Sequence, residues 1–294
     1  MKNLLSLFIL LAFLPVYGQD TVKKDSAWKA GGLLSLTMAQ ANFSNWAAGG
    51  ENSYSANGRA GIFANYTRNM IAWENNLDMA YGISKQGTST MRKTDDIFEI
   101  NSKLGYKASE KWFYTAVFNA RSQFDKGYQY STVDSVEDLV ISEPFAPLYL
   151  NLAIGMDYKP NQYASLFLSP LNMKNIYVYD TKYALRYSID SAQNMRTDVG
   201  AIIKFKYERK LIENVDFLTK LDVFANYLEL KEIKDVDVNW EILINLKVWK
   251  ALAVNLNTNL IWDKDVKYIE SDGSAGNARV QFKEVFGAGL AYKF

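Results

Sequence analysis

The chain has 294 residues, with 33 basic and 32 acidic side chains and neither histidine nor cysteine. Without histidine it lacks the usual proton shuttle near neutral pH, so enzymes that depend on a catalytic histidine are excluded, and without either residue borderline metals lose their commonest ligands. The balanced charge gives no indication of a nucleic-acid partner, and we expect a protein that is not an enzyme and holds no cofactor or metal.

The amino terminus has the pattern of a signal peptide. Lys2 precedes an apolar run over 4–14, and Val16 and Gly18 occupy the positions that a signal peptidase reads. The run is shorter than the roughly 20 residues that a membrane-spanning helix needs. We therefore predict cleavage after residue 18, a short periplasmic segment over 19–27 and one domain over 28–294. An apolar first helix of a cytosolic protein is the alternative.

Long stretches of the chain alternate between apolar and polar residues. Over 235–248, Val238, Trp240 and Ile242 share one parity, whereas Asp237 and Glu241 share the other. Period-two alternation is typical of a strand with one apolar face. The stretches run about 10–14 residues, close to what a tilted strand needs to cross a membrane and longer than most strands of soluble proteins. We therefore predict an antiparallel transmembrane β-barrel whose apolar face contacts lipid.

The predicted barrel has twelve strands. They lie at 33–41, 53–66, 70–83, 95–108, 112–125, 147–158, 162–169, 197–208, 214–228, 235–248, 252–263 and 281–294. Ten or fourteen strands also fit, because the parity over 29–41 is unclear and the region 162–196 could add a hairpin of 176–179 with 183–187. Short turns alternate with long loops, as in outer-membrane barrels, which places the turns and both chain ends on the periplasmic side.

Aromatic residues cluster beside the predicted short turns. They are Tyr66, Tyr106, Tyr158 and Tyr207 before the turns and Trp73, Trp112 and Phe217 after them. This grouping is typical of the aromatic girdle at a membrane boundary. The last strand ends in Phe294, and a terminal aromatic residue resembles the signal that bacterial barrel-assembly machinery reads. We therefore expect the outer membrane of a Gram-negative bacterium, with its lipid and this machinery as partners.

The Asn-Trp-Ala-Ala-Gly-Gly element at 45–50 and its surroundings over 43–53 carry a resemblance to a known family. This segment resembles the opening motif of an uncharacterised family of Bacteroidetes outer-membrane barrel proteins, and the segments 93–96, 123–128 and 168–171 are similar to that family as well. The resemblance covers almost the whole mature chain. It is looser at 172–174, where the chain has Asn-Met-Lys and the family often has glycine. The resemblance implies an outer-membrane barrel and no particular activity.

Acidic residues offer few candidates for chemistry. Two carboxylates could support glycoside hydrolysis, but the candidates lie on different predicted strands: Glu99, Asp157, Glu241 and Asp263. The acidic residues over 263–273 could hold calcium, but their spacing does not fit an EF-hand, and the pattern favours a solvated extracellular loop. The acidic loop over 126–146 is either a solvated loop or a cap over the barrel mouth.

The polar parity of the predicted strands should line the interior of the barrel. The candidate lumen charges are Arg59, Glu74, Asp78, Glu99, Lys103, Arg121, Asp157, Lys204, Lys220, Asp237, Glu241 and Lys247. Their near-balance argues against a strongly charge-selective pore. Twelve strands fall between barrels of about 8 strands that side chains fill and those of about 16–18 that leave an open channel. We therefore expect a narrow or occluded interior.

Asn45, Trp46, Gly49, Gly50 and Glu51 form a candidate motif at the extracellular rim. Glycine permits positive φ and close approach of the backbone, so a tight turn with Trp46 against the barrel explains the motif structurally. In the functional alternative, Trp46 and Glu51 recruit a ligand or partner at the rim.

Two classes of function fit the sequence. The first is a narrow, porin-like channel for small polar solutes. The second is a structural or accessory barrel that docks to other envelope proteins. A soluble, lipocalin-like binder in the periplasm is a third interpretation, which the long, aromatic-rich strands disfavour.

Overall fold

Twelve long antiparallel strands close into a barrel in the computed structural model, which describes residues 27–42, 51–130, 137–232, 235–249, 251–269 and 275–294. Consecutive barrel strands are neighbours all the way round, and the last pairs with the first. The predicted fold class and the count of twelve are confirmed. The predicted signal peptide over 1–18 lies outside the described residues and stays a prediction.

The strands follow one another along the chain with two small hairpins between them. In chain order they are β1 (Trp28–Ala41), β2 (Ser53–Arg68), β3 (Ile71–Gln86), β4 (Arg92–Lys107), β5 (Trp112–Ser122), β6 (Gly127–Gln129), β7 (Leu139–Ser142), β8 (Leu148–Asn161), β9 (Ala164–Tyr177), β10 (Met195–Ile212), β11 (Val215–Asn226), β12 (Asp237–Trp249), β13 (Leu252–Trp262), β14 (Lys267–Ile269), β15 (Ala275–Ala278) and β16 (Gln281–Lys293). The pairs β6–β7 and β14–β15 are hairpins outside the barrel sheet. Short turns gather at one end of the barrel, the turn end, and longer connections at the other, the loop end.

Alternation along β16 shows why these sequences form membrane-facing strands. Phe282, Phe286, Leu290 and Tyr292 point outward and keep between 60% and 70% of their surface exposed. Their neighbours on the other parity, such as Lys283, face the interior. A large apolar band of this kind is unfavourable in water and favourable against hydrocarbon. The predicted inward and outward parities are therefore observed on the terminal strand.

The aromatic girdle lies at the turn end, where it was predicted. Trp28 packs on Tyr66 and Trp73, with ring centroids 5.2 Å and 5.8 Å apart. Trp112 packs on Tyr158 with centroids 4.8 Å apart. These outward rings meet in pairs beside the turns, which is the arrangement expected where aromatic side chains mark a membrane boundary.

Strand β9 is longer than predicted. The sequence predicted a strand over 162–169, because Pro170 cannot donate to a ladder and usually ends a strand. The structure continues the strand to Tyr177 through a register shift beside Pro170 against both neighbours. Because of this bulge, the inward-facing positions change from odd-numbered to even-numbered residues. Ser169 faces inward before the bulge, Asn172 and Lys174 face inward after it, and all three are buried. The extra hairpin that the sequence left open does not form.

The predicted second arm of that hairpin is instead a 3₁₀ helix, Thr181–Tyr187. Asp180 caps it by accepting a hydrogen bond from the backbone N–H of Lys182 at 2.9 Å. The helix carries an apolar cluster over the loop end, here called the cap, formed by Ala146, Ile176, Val178, Tyr183, Ala184, Tyr187 and Ile189. Tyr149 of β8 and Val266 beyond β13 pack against it. Within the described ranges, no helix has the length and apolarity needed to span a bilayer.

Candidate functional site: the charged lumen

Ion pairs cross the interior of the barrel at three levels, and the level nearest the turn end is here called the lower layer (Glu74, Lys103, Asp157 and Lys159). Asp157 of β8 is fully buried, and its Oδ2 lies 2.6 Å from the Lys103 Nζ of β4. Its Oδ1 accepts a hydrogen bond from the Ser165 hydroxyl at 2.7 Å. Lys159 reaches from β8 to Glu74 on β3. The lower layer thus connects strands that are not neighbours in the sheet.

The middle layer consists of Arg59, Asp78, Lys220 and Glu241. Glu241 lies 3.2 Å from Arg59 and 3.6 Å from Lys220, and Lys220 lies 3.5 Å from Asp78. Asn257 donates a further hydrogen bond to Glu241 at 3.2 Å. Strands β3 and β11, which carry Asp78 and Lys220, are six positions apart in the ring of twelve and so face each other. Side chains of the middle layer therefore span the full width of the lumen.

Two more predicted lumen groups lie beside the middle layer. Glu99 accepts a hydrogen bond from the Asn119 amide at 2.8 Å and is the register partner of Arg121. Lys204 lies 2.6 Å from Asp222 on the adjacent strand. These contacts balance charge locally along the wall of the lumen.

The upper layer lies at the loop end and is centred on Lys174 and Arg196. Lys174 is only 8% exposed and lies 2.6 Å from Asp237 and 3.1 Å from Asp263. Its Nζ also lies 5.5 Å from the centre of the Phe224 ring. A buried lysine of this kind requires partners for its charge, and the two carboxylates supply them.

Arg196 connects the wall to two loops. Its guanidinium lies 2.8 Å from each of Asp198 on β10, Glu229 after β11 and Asp265 after β13. Burial raises the pKa of the Asp265 carboxyl, while the Arg196 charge opposes that shift. In the upper layer, Asp263 and Asp265 thus serve as ion-pair partners. The described part of the chain contains no group of three potential metal ligands, and the rest of the candidate calcium loop, 270–273, lies outside it.

One ion pair ties the last strand to a strand that is not its neighbour. Asp95 on β4 lies 2.8 Å from the Lys283 Nζ of β16 and accepts a hydrogen bond from the Asn57 amide at 3.2 Å. Strands β4 and β16 are four positions apart in the ring. Asp95 belongs to the segment 93–96 that carried part of the family resemblance.

The neighbouring residue of that segment holds a loop in place. Asp96 accepts backbone hydrogen bonds from Phe124 at 2.7 Å and Asp125 at 3.0 Å. At Gly127, a Cβ atom would collide with the hydroxyl of Ser142, its partner across the β6–β7 hairpin. The segments 93–96 and 123–128 are therefore joined in space, and their shared role here is to support the loop after β5.

Of the candidate rim motif, the structure describes only the last residue, Glu51. Asn45, Trp46, Gly49 and Gly50 lie outside the described residues. Glu51 lies over the β3–β4 connection at the loop end. A Cβ atom at Gly87, whose φ is +54°, would come within 2.8 Å of the Glu51 carboxylate. Glu51 also lines a cavity of about 400 Å³ at the rim, together with Ser84, Gln86, Ser89 and Arg92.

The predicted lumen residues face the interior, and most of them meet across it. Glu99, Arg121 and Lys204 instead face partners on adjacent strands, and Lys247 is exposed near the turn end of β12 and makes no ion pair with the described residues. Among the charges that the sequence analysis missed are Lys159, assigned to a turn, and Lys174, which lies beyond the bulge of β9. A parity count that allowed a bulge at Pro170 would have found Lys174.

The comparisons with known proteins bear on family and fold. The profile of a family described as a protein of unknown function (DUF3078) matches residues 38–128. No curated protein matches the chain. Its fold is similar to the translocator domain of the autotransporter NalP from Neisseria meningitidis, at 9% identity and a TM-score of 0.39, covering 100% of this chain and 98% of that one.

Two further solved structures are similar. The NanC porin has 6% identity and a TM-score of 0.39, covering 88% of this chain and 98% of that one. An outer membrane channel from Pseudomonas putida F1 has 12% identity and a TM-score of 0.38, covering 95% and 98%. At such low values, these similarities carry no conclusion about what this chain transports or binds.

Proposed function

We infer that the protein is a narrow channel for small polar solutes in the outer membrane of a Gram-negative bacterium. The observation that carries this proposal is the middle layer, whose four charged side chains keep between 19% and 34% of their surface accessible. A solid core would bury these groups fully. The partly accessible side chains leave space between them at the centre of the lumen, which supports passage of water and small polar solutes between side chains.

The same geometry sets the width and selectivity of the channel. Lys220 and Asp78 meet from opposite walls, so a solute must pass beside their ion pair or displace it. Positive and negative groups alternate around the lumen, which favours weak charge selectivity. The proposal is therefore a channel of low conductance for small, polar and largely neutral solutes.

Single-channel recording in planar bilayers tests the proposal. We expect small, discrete conductance steps from the purified protein and larger steps from Lys220→Ala, because the truncation removes the side chain that spans the lumen. Lys247→Ala is the matched control, since Lys247 lies on the adjacent strand and outside the three layers. If neither the folded wild-type protein nor folded Lys220→Ala gives conductance steps, the protein is not a channel.

A second function is favoured by the loop end. The cap packs on β8 and β9, and the Ser188 hydroxyl, just after its helix, donates a hydrogen bond at 3.0 Å to the Asp265 carbonyl beyond β13. The cap and the upper layer together cover this side of the mouth. An accessory barrel that docks to another envelope protein needs no open lumen. Co-purification of a stoichiometric envelope protein, together with no conductance, would favour this function over the channel.

A further inference from the structure

The upper layer contains more carboxylates than cations. Among the described residues, its three cations are Lys174, Arg196 and Lys264. They are shared by five carboxylates: Asp198, Glu229, Asp237, Asp263 and Asp265. Lys264 also lies 3.7 Å from Asp235, and Arg186 of the cap makes no ion pair with the described residues. With every group ionised, the layer therefore has two more negative than positive charges.

Two of these carboxylates have an oxygen atom to spare. Asp237 contacts Lys174 through its Oδ2, and Asp265 contacts Arg196 through its Oδ2. The Oδ1 atom of each accepts no hydrogen bond from the described residues. The two side chains keep 17% and 14% of their surface accessible. Both can therefore accept a hydrogen bond from a ligand without losing the cation that each already contacts.

The fold brings these two carboxylates together at the loop end. Val238 of β12 is the register partner of Trp262 of β13, so Asp237 and Asp263, the next residues outward, lie side by side. Asp265 follows two residues later, and Asp237 lies within electrostatic range of both other aspartates. Burial raises the pKa of Asp265, and the charge of Asp263 adds to that rise. Like charges this close are unfavourable unless a further cation joins them.

Two buried side chains on the adjoining wall also lack partners. Asp198 is only 5% exposed, and its Oδ2 has no hydrogen-bond partner among the described residues. Asn172 is fully buried, and neither its amide oxygen nor its amide nitrogen has one. Both face inward beside Lys174, since Asp198 is its register partner and Asn172 precedes it by two residues. Buried polar groups normally have partners, so the upper layer is incomplete with these side chains alone.

The chemistry of the upper layer favours an ammonium group over a metal ion. In the described part of the chain, no three potential metal ligands converge. The ammonium of Lys174 already shows how such a group is held, at 2.6 Å from Asp237 and 3.1 Å from Asp263. An ammonium group has three N–H donors that can reach oxygens on separate side chains. An excess of two negative charges suits a molecule with two ammonium groups.

We propose that the upper layer is a binding site for a small aliphatic diamine, with one ammonium group held between the Oδ1 atoms of Asp237 and Asp265. Lys174 and Arg196 keep the other oxygens of these two carboxylates in place. The ligand enters from the loop end, so its binding does not require that the lumen conducts. The site therefore goes beyond the proposed channel and can be tested apart from it.

Isothermal titration calorimetry with the protein in a neutral detergent tests the site. The probe is 1,4-diaminobutane at low ionic strength, because salt screens the attraction, and 1,4-butanediol is the uncharged control of the same length. We expect the diamine to bind and the diol not to bind. Asp265→Asn should weaken diamine binding about tenfold, because it removes one charged acceptor. Asp216→Asn is the matched control, since Asp216 is exposed at the turn end and makes no ion pair with the described residues; its affinity should be unchanged.

Thermal unfolding of the unaltered protein provides a second measurement that needs no variant. The diamine should raise the melting temperature, because it binds the folded state, and the diol should leave it unchanged. The proposal is overturned if the diamine neither binds nor stabilises the protein, or if Asp265→Asn and Asp216→Asn weaken binding equally. It is also overturned if Mg²⁺ binds more tightly than the diamine and Asp265→Asn weakens that binding, since the site then serves a divalent metal. Absence of conductance steps would contradict the channel alone.

Discussion

Removing the charge of Glu241 should destabilise the barrel measurably, because this carboxylate is the shared partner of two cations. In Glu241→Gln, Arg59 loses its partner at 3.2 Å, whereas Lys220 keeps Asp78 at 3.5 Å. A pair of unit charges at 3.2 Å attracts by about 5 kcal/mol at an effective dielectric constant of about 20. Desolvation offsets most of that gain. Because about a fifth of the Arg59 and Glu241 side chains stays exposed, we expect Glu241→Gln to lower the free energy of unfolding by about 2 kcal/mol.

A double-mutant cycle measures the interaction directly. Unfolding by urea in detergent micelles, followed by tryptophan fluorescence, gives the free energies for Glu241→Gln, for Arg59→Met and for the double variant. We expect the double variant to cost about 1–2 kcal/mol less than the sum of the single variants. Lys247→Met, outside the layers, should change stability by less than about 0.5 kcal/mol. If the two single costs add within about 0.5 kcal/mol, the side chains are not coupled and the middle layer is not formed as described.

Three further predictions concern the pairing of β1 with β16, the upper layer and the cap. Gly289→Ala should impair folding, seen as lost heat resistance on gels, because its Cβ would meet the β1 backbone. Lys174→Met should cost about 3–5 kcal/mol in urea unfolding, since it leaves two buried aspartates without a cation. Burial raises the pKa of Tyr187 to about 12, so its contribution to the cap is complete below about pH 10 and is lost toward pH 12; protease cleavage over 178–194 should rise in that range.

Each of these predictions has a matched control. Gly58→Ala should be tolerated, because the nearest atom to its Cβ lies 4.0 Å away. If both variants lose heat resistance equally, the close approach of β1 and β16 at Gly289 is contradicted. Lys206→Met should lower the free energy of unfolding by at most about 1 kcal/mol, because Lys206 and Glu208 are largely exposed. If Lys174→Met costs no more than Lys206→Met, the upper layer is not formed as described. Tyr187→Phe should reduce the pH dependence of cleavage, and an unchanged dependence would assign the effect to another group, such as Tyr183 or Tyr149, whose pKa burial also raises.

The barrel was predictable because its signals are local. Alternation along β12 and β16 fixes which residues face lipid, and two-residue turns such as 69–70 fix which strands are antiparallel neighbours. The girdle follows from the same periodicity, since Tyr66 and Trp73 become partners as soon as the β2–β3 turn is placed. Register and turn position together determine most of the sheet.

The cap and the upper layer were not predictable from such signals. Pro170 ended the predicted strand, although a bulge accommodates it and carries Lys174 into the lumen. The partners of Lys174 lie 63 and 89 residues away, so the chain holds no local trace of the pairing. The tyrosines over 183–187 fit the pattern of a short strand, but packing against β8 and β9 favours a 3₁₀ helix there.

One ion pair connects the lumen to the strand that closes the barrel. Lys283 lies on β16, the strand that closes the barrel against β1, and its charge is held by Asp95 on β4, across the interior. The last strand is thus fixed by β13 on one side and by a charge across the lumen on its inner face.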